Sequence, residues 1–219
     1  MYARSMAVVI AWALFSALFL SALAVDYGGL SRQVLRYVER EYGSSGKQRV
    51  VDWQAFIKSN RYSSESTKLR KVNEFFNRLR FVEDSEHWGQ SDYWATPVEF
   101  LASGAGDCED YSIGKFFTLL ALGVEEDKMR ITYVKALELG QAHMVLTYYE
   151  RPDGEPLVLD NLRSSIDKSS RRTDLKPVYS FNGNGLWTAV SRGQGKRVGG
   201  SGRISLWQDL NRRMEKEGR

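Results

Sequence analysis

The spacing of apolar and polar residues predicts a helical first half of the chain. Apolar side chains recur at helical spacing over residues 31–42, and again over residues 65–80 after the N-cap residue Ser64. A short helix is predicted over residues 98–102. Residues 108–122 are almost entirely apolar after their first turn, and we expect them to form a central buried helix.

Further along the chain the apolar pattern changes to the two-residue period of strands. The predicted strands are residues 130–137, 143–149, 156–160, 179–181 and 186–190. The Arg-Pro-Asp-Gly turn at residues 151–154 predicts that the second and third strands are antiparallel neighbours. A last helix begins at Leu206. Helices followed by antiparallel strands predict an α+β domain.

Composition is that of a folded protein and gives little support for nucleic-acid binding. The chain has 219 residues, of which 42% are hydrophobic and 12% aromatic, enough for a substantial core. The 31 basic and 27 acidic residues leave a formal charge of only +4, and acidic residues are interspersed among the basic ones.

The first 24 residues predict a signal peptide, so residues 25–219 are expected to form a single exported domain. An apolar run at residues 6–20 follows Arg4, and small residues end at Ala24, where cleavage is predicted. The expected location is the periplasm; the alternative is an uncleaved membrane anchor. A single cysteine excludes an internal disulfide framework and indicates a functional free thiol or an intermolecular bridge.

That cysteine, Cys108, lies at the predicted start of the buried helix among polar residues. Unpaired backbone N–H groups and the helix dipole favour a thiolate at such a position, and the same N–H groups can bind an oxyanion. The pattern therefore favours a nucleophile. The alternative is an inert cysteine packed in the core.

A nucleophilic thiol requires a base, and the chain has two histidines. His143 begins a predicted strand, and Asp160 ends the next. A four-residue loop would place them directly opposite each other, within reach of a hydrogen bond. Cys108, His143 and Asp160 thus predict the nucleophile, base and orienting acid of acyl-transfer catalysis. His87 lies among acidic residues, where we expect a surface role.

Three carboxylates crowd the predicted nucleophile: Asp107, Glu109 and Asp110. Their negative charge opposes thiolate formation. Either they cap the helix, with Asp107 as N-cap, or a hard cation neutralises them, or both. Oxygen ligands favour calcium, and Asp92 in the preceding loop is a further predicted ligand beside Asp107 and Glu109.

At this point the chain resembles the bacterial transglutaminase-like cysteine proteinases, and within them the LapG-type periplasmic proteases. The resemblance covers most of the predicted domain and is carried by residues 92–97 (DYWATP), 104–111 (GAGDCEDY), 141–145 (QAHMV) and 159–161 (LDN). It implies a papain-like core with Cys108, His143 and Asp160 as the triad. It also implies calcium at Asp107 and Glu109; Asp92 is not part of what the resemblance implies.

The resemblance further implies a substrate and a partner. Family members cleave the N-terminal region of a large surface adhesin, usually beside a dialanine, and so disperse biofilm. A LapD-type inner-membrane receptor restrains them when it binds cyclic di-GMP. Two alternatives stay open: a transglutaminase or peptidoglycan amidase with the same triad, and a calcium-binding adaptor without chemistry. The basic, glycine-rich residues 192–203, predicted to form a loop, match no part of the family pattern.

Overall fold

The computed structural model describes residues 27–188 and 195–217. Its helices are α1 (Arg32–Asn60), α2 (Glu65–Phe76), α3 (Asp84–His87), α4 (Pro97–Ser103), α5 (Cys108–Ala121) and α6 (Ser205–Glu217). Its strands are β1 (Arg80–Phe81), β2 (Ala105–Gly106), β3 (Met129–Ala136), β4 (Gln141–Tyr148), β5 (Leu157–Leu159), β6 (Asp167–Lys168), β7 (Leu175–Asn182), β8 (Gly185–Thr188) and β9 (Arg197–Gly199). Short 3₁₀ turns are Tyr27–Gly29, Glu126–Lys128, Ser169–Arg171 and Ser201–Arg203.

Seven strands form one antiparallel sheet in the order β6-β5-β4-β3-β7-β8-β9. Helix α5 packs on β4 and β3, and α2 and α4 pack on α5. The main core lies between this helical layer and the sheet, with Phe116, Leu119, Ile131, Leu146 and Phe181 almost fully buried. The predicted α+β class and the buried central helix are therefore confirmed.

A second, smaller apolar cluster lies away from this core. Its members are Val134, Ala136, Val145, Val158 and Leu175. A cavity of about 460 Å³ adjoins it, lined by strand residues and by residues 169–177.

The prediction that the first helical segment ends at residue 42 is confirmed, because Gly43 adopts the non-helical values φ 73° and ψ −179°. Glycine tolerates this conformation because it has no Cβ. A second helical segment, which the sequence analysis does not predict, follows this kink and brings α1 to Asn60. Beyond the kink, Val50 and Trp53 are fully buried, and the Trp53 indole N–H donates to Thr118 Oγ1 of α5 at 2.9 Å. Burial of this face stabilises the second segment, while the turn signal at Gly43 marks the break between the two.

Other boundaries also differ from the prediction. The one-turn helix α3 lies in residues 81–97, for which the sequence pattern predicts no helix or strand. Residues 197–199, predicted to be loop, pair with β8, since Gly199 lies opposite Leu186. The predicted strands at residues 179–181 and 186–190 are observed within the described residues as the paired strands β7 and β8, whereas residues 189–190 lie outside them. The predicted signal peptide and its cleavage site lie outside them as well.

None of the helices in the described ranges combines the length and hydropathy that crossing a bilayer requires.

Helices α1 and α4 approach each other closely at Gly46. A Cβ at this position would lie 2.7 Å from the carbonyl oxygen of Ala102 and 2.6 Å from Tyr42 Cβ. We predict that Gly46→Ala lowers the free energy of unfolding by about 1–3 kcal/mol, because backbone must move and this exceeds the helix-propensity gain. Urea unfolding measures the change. Gly200→Ala is the control, since nothing lies within 4 Å of its Cβ position; equal stability of the two variants would contradict the prediction.

Candidate active site and metal centre

The start of α5 is built on a glycine that allows a carboxylate to lie beneath it. Strand β2 pairs with β1, with Gly106 opposite Phe81, immediately before the helix. A Cβ on Gly106 would lie 2.3 Å from Asp110 Oδ2 and 2.8 Å from the Phe100 ring. The absence of a Cβ therefore lets Asp110 fold back against the chain that enters the helix.

The predicted capping by Asp107 is confirmed. Asp107 Oδ1 accepts the backbone N–H of Glu109 at 3.2 Å, and Asp110 Oδ2 accepts the N–H of Asp107 at 3.4 Å. The other oxygen of Asp110 accepts the N–H of Ala95 at 2.7 Å, and its side chain is fully buried. The two carboxylates thus fix the helix start and tie it to the segment before α4.

The thiol of Cys108, the first residue of α5, donates a hydrogen bond to Glu109 Oε2 at 2.7 Å. Burial, then the negative charges of Glu109 and Asp107, raises the pKa of this thiol well above its usual value. The backbone N–H of Met144 acts in the opposite direction. That contact brings the residue next to His143 alongside the sulfur.

His143 lies on β4 and is almost completely buried, as is Asp160. His143 Nε2 lies 2.8 Å from Asp160 Oδ1. Because an ionised carboxylate only accepts hydrogen bonds, Nε2 carries the proton, and Nδ1 is left as the basic nitrogen. The structure therefore brings together the two residues that the sequence predicts as base and orienting acid.

The predicted register of this pair is wrong by two residues. Leu146 pairs with Leu159, and β4 and β5 are joined by the eight residues 149–156 rather than by a four-residue loop. Asp160 follows the end of β5, and extending the register places it opposite Val145 instead of His143. The hydrogen bond is therefore a diagonal contact between neighbouring strands.

Asp160 is held by more partners than the sequence indicates. Its Oδ2 accepts a hydrogen bond from Arg172 Nη2 at 2.6 Å, and Oδ1 also accepts the N–H of Leu162 at 3.0 Å. Burial opposes the negative charge, but the hydrogen bonds from His143, Leu162 and Arg172 keep the pKa of Asp160 well below its usual value. Sequence reasoning missed Arg172, which lies in an aperiodic stretch of serines and arginines.

A cluster of acidic side chains surrounds the start of α5. Ligand atoms of Asp84, Asp107 and Asp110 lie within 4.8 Å of one another, and so do those of Asp107, Cys108 and Glu109. Sequence reasoning missed Asp84, whose Oδ2 accepts the N–H of Tyr93. Its other oxygen is buried without a hydrogen-bond partner in the described part of the chain.

The cluster has the chemistry of a hard-cation site. Burial, followed by repulsion from neighbouring carboxylates, raises the pKa of Asp84 to about 7 and that of Asp107 to about 8. All carboxylate ligands offer oxygen, and the buried Asp84 Oδ1 lacks a partner, so the residues fit an ion such as calcium.

Two other predicted positions lie apart from these groups. Asp92 is exposed and belongs to neither group, although its negative charge acts on Asp84 and Glu109; its assignment as a ligand stays a prediction. His87 ends the one-turn helix α3, is partly buried, and stacks edge-on against Trp88.

Comparison with known proteins agrees with this geometry. The model of the bacterial transglutaminase-like cysteine proteinases matches residues 45–193. The chain belongs to this family. The predicted family resemblance is thereby confirmed, and with it the general activity of a cysteine protease. A comparison with curated protein sequences gave no match.

Solved structures of LapG from Legionella pneumophila resemble this family member over most of its length. One is 43% identical, covers 83% of this chain and 96% of its own, and superposes with a TM-score of 0.72. An EGTA-treated form is 44% identical with a TM-score of 0.74 and the same coverage. A calcium-bound form is 44% identical, covers 82% of this chain and 98% of its own, and has a TM-score of 0.69. The ion in that last structure is the one that the sequence predicts here.

We predict that Asp160→Asn lowers the free energy of unfolding by about 3 kcal/mol at neutral pH, because buried Arg172 loses a charged partner. The lowered pKa means that Asp160 contributes stability above its unfolded pKa of about 4 and loses it as pH falls toward the folded value. The difference from wild type should therefore shrink below about pH 4.

Urea unfolding at a series of pH values measures this difference. Asp153→Asn, in the exposed turn before β5, is the matched control and should not change stability. The prediction is contradicted if the difference in unfolding free energy between Asp160→Asn and wild type grows as the pH falls.

Proposed function

We propose that this protein is a calcium-dependent periplasmic endopeptidase that cleaves the N-terminal region of a large surface adhesin and so releases it from the cell. The observation that carries the proposal is the buried His143–Asp160 hydrogen bond beside a helix whose first residue is the chain's only cysteine. The 43% sequence identity of this chain to Legionella LapG supports a protease of this type over other acyl transferases.

In the proposed mechanism, each of these side chains has one step in peptide hydrolysis. Asp160 accepts the Nε2 proton of His143, so Nδ1 takes the proton from the Cys108 thiol. The thiolate attacks the scissile carbonyl, and backbone N–H groups in the first turn of α5 stabilise the oxyanion. His143 returns its proton to the leaving amine. It then activates the water that hydrolyses the thioester.

Calcium is the proposed ion of the acidic cluster, held by Asp84, Asp107, Glu109 and Asp110. When bound, it neutralises carboxylate charge around the sulfur. The contact between Cys108 and Glu109 favours the protonated thiol, so reducing the negative charge of Glu109 favours ionisation. The calcium-bound and EGTA-treated forms of Legionella LapG support this choice of ion.

We predict that calcium removal slows alkylation of Cys108 by iodoacetamide at least about 10-fold, since uncompensated carboxylates oppose the thiolate. EGTA should also lower Tm by several degrees, because an ion bound to the native state stabilises it. Alkylation of the single cysteine followed by mass spectrometry needs no substrate. Unchanged rate and Tm after chelation would exclude calcium as a cofactor.

Two substitutions at neighbouring aspartates test the ligand set. Asp84→Asn should weaken calcium binding at least about 10-fold by calorimetry, because it removes a carboxylate charge from the buried cluster. Asp92→Asn removes the same charge from an exposed position outside the cluster and should change affinity much less. A larger loss in Asp92→Asn would reverse the assignment and favour the ligand predicted from sequence.

The substrate assignment is tested with an adhesin N-terminal fragment containing a dialanine. Wild type should cleave it, and His143→Gln should lower kcat/KM at least about 1,000-fold because the base is lost. His87→Gln removes the other histidine and should retain activity. Mass spectrometry of the products checks the result. Amine incorporation without chain cleavage would favour the transglutaminase alternative.

A receptor of LapD type is the proposed partner, capturing the protease when its cytoplasmic part binds cyclic di-GMP. Family membership is the support for this partner. A bacterial strain that carries Cys108→Ala distinguishes an adaptor from a protease. If this strain retains every biofilm phenotype, the protein binds the receptor without catalysing a reaction.

A further inference from the structure

Arg172 connects the predicted orienting acid to a second carboxylate. Its Nη2 donates to Asp160 Oδ2 at 2.6 Å and to Asp174 Oδ2 at 2.8 Å, while Nε donates to Asp174 Oδ1 at 3.0 Å. Arg163 Nη2 lies 3.3 Å from Asp174 Oδ1, and the Arg163 side chain is exposed to solvent. The Arg172 side chain is 1% exposed and that of Asp160 is fully buried. A planar guanidinium bound to two carboxylates has a fixed orientation.

Asp160 needs such a support because the sheet does not orient it. It lies beyond the last paired residue of β5, and it reaches His143 diagonally. Its backbone carbonyl accepts a hydrogen bond from Asn77 Nδ2 at 2.8 Å, which fixes the main chain without involving the side chain. Of its two carboxylate oxygens, Oδ1 binds His143 and the N–H of Leu162, and Arg172 binds Oδ2.

We propose that Arg172 is a positioning residue: its guanidinium holds the Asp160 carboxylate in the plane from which Oδ1 binds His143. The proposal rests on the proposed cysteine-protease function for its catalytic consequence, though not for the geometry. The titratable and charged side chains that face Asp160 are His143, Arg172 and Lys115, which is buried in α5. Lys115 is 1% exposed and faces Asp160 from the helical side; burial lowers its pKa to about 7, and the negative charge of Asp160 opposes that shift.

The site of Arg172 is also open to a chemical test. Arg172 lines the cavity of about 460 Å³ that adjoins the small apolar cluster. Truncation to alanine would extend this cavity toward Asp160. A small planar cation that enters this cavity would then fill the vacated position and bind the carboxylates with the same planar geometry as the arginine.

The experiment uses the calcium-loaded full chain in three forms: Arg172→Ala, Arg172→Lys and the control Arg163→Ala. NMR follows the Nε2 proton of His143, which is assigned with His143→Gln because the chain has two histidines. We expect a low-field, slowly exchanging proton in wild type and Arg163→Ala and its loss in Arg172→Ala. Cys108 alkylation by iodoacetamide should slow roughly 10- to 100-fold in Arg172→Ala, as when a supporting hydrogen bond is removed.

Rescue separates orientation from general structural damage. Methylguanidinium at millimolar concentration should restore the signal and at least part of the alkylation rate to Arg172→Ala, whereas tetramethylammonium at equal ionic strength should not. A folded Arg172→Ala protein with the wild-type signal and rate overturns the proposal. So does loss of both in Arg163→Ala to the same extent.

Arg172→Lys keeps the experiment decisive if the alanine variant does not fold. A single ammonium cannot bind both carboxylates in one plane, so we expect the low-field signal to be lost while the protein stays folded. A lysine variant with wild-type signal and rate overturns the proposal. Failure of the protease assignment would appear differently: His143→Gln would then leave the wild-type alkylation rate unchanged, while the NMR comparison would still test Arg172.

Discussion

The structure depends on how one helix start accommodates negative charge. Four carboxylates lie around the first turn of α5, at Asp84, Asp107, Glu109 and Asp110, and the burial of Asp107 and Asp110 makes their repulsion expensive. Backbone N–H groups and the helix dipole compensate part of this charge. In the proposed function, the remainder gives the site its affinity for a hard cation and places the thiol under electrostatic control.

The negative charge of Asp160 is also buried, but positively charged and hydrogen-bonding partners stabilise it. Asp160 is as buried as Asp110, yet it faces positive partners, and the two pKa values move in opposite directions. Arg172 and Lys115 lie on this side, whereas the carboxylates lie around Cys108. The site therefore has one end where Asp160 binds Arg172 and the imidazole, and another end where carboxylates surround the sulfur.

Sequence reasoning predicted those parts of the site that have a local signal. Cys108 starts a strongly apolar helix after a glycine-rich turn, and His143 and Asp160 lie at strand ends, so each is recognisable from a window of about ten residues. Asp84 and Arg172 have no such signal. They reach the site through pairing of β1 with β2 and through the turn after β6, which are contacts between distant parts of the chain. The strand register failed for a related reason, because it depended on an assumed loop length.

The pairing of β1 with β2 has a mechanical consequence. It holds the chain together at Phe81 and Gly106, and the carboxylates of Asp84, just inside the intervening segment, and Asp107, just beyond it, lie close together. In the proposed calcium form, one ion bound by Asp84 and Asp107 would link the two ends of this segment, which contains Trp88 and Trp94, a second time. The residues between α3 and α4 would then be held by the ion as well as by strand pairing, so that the same ion that acts on the thiol would also shape the neighbouring surface.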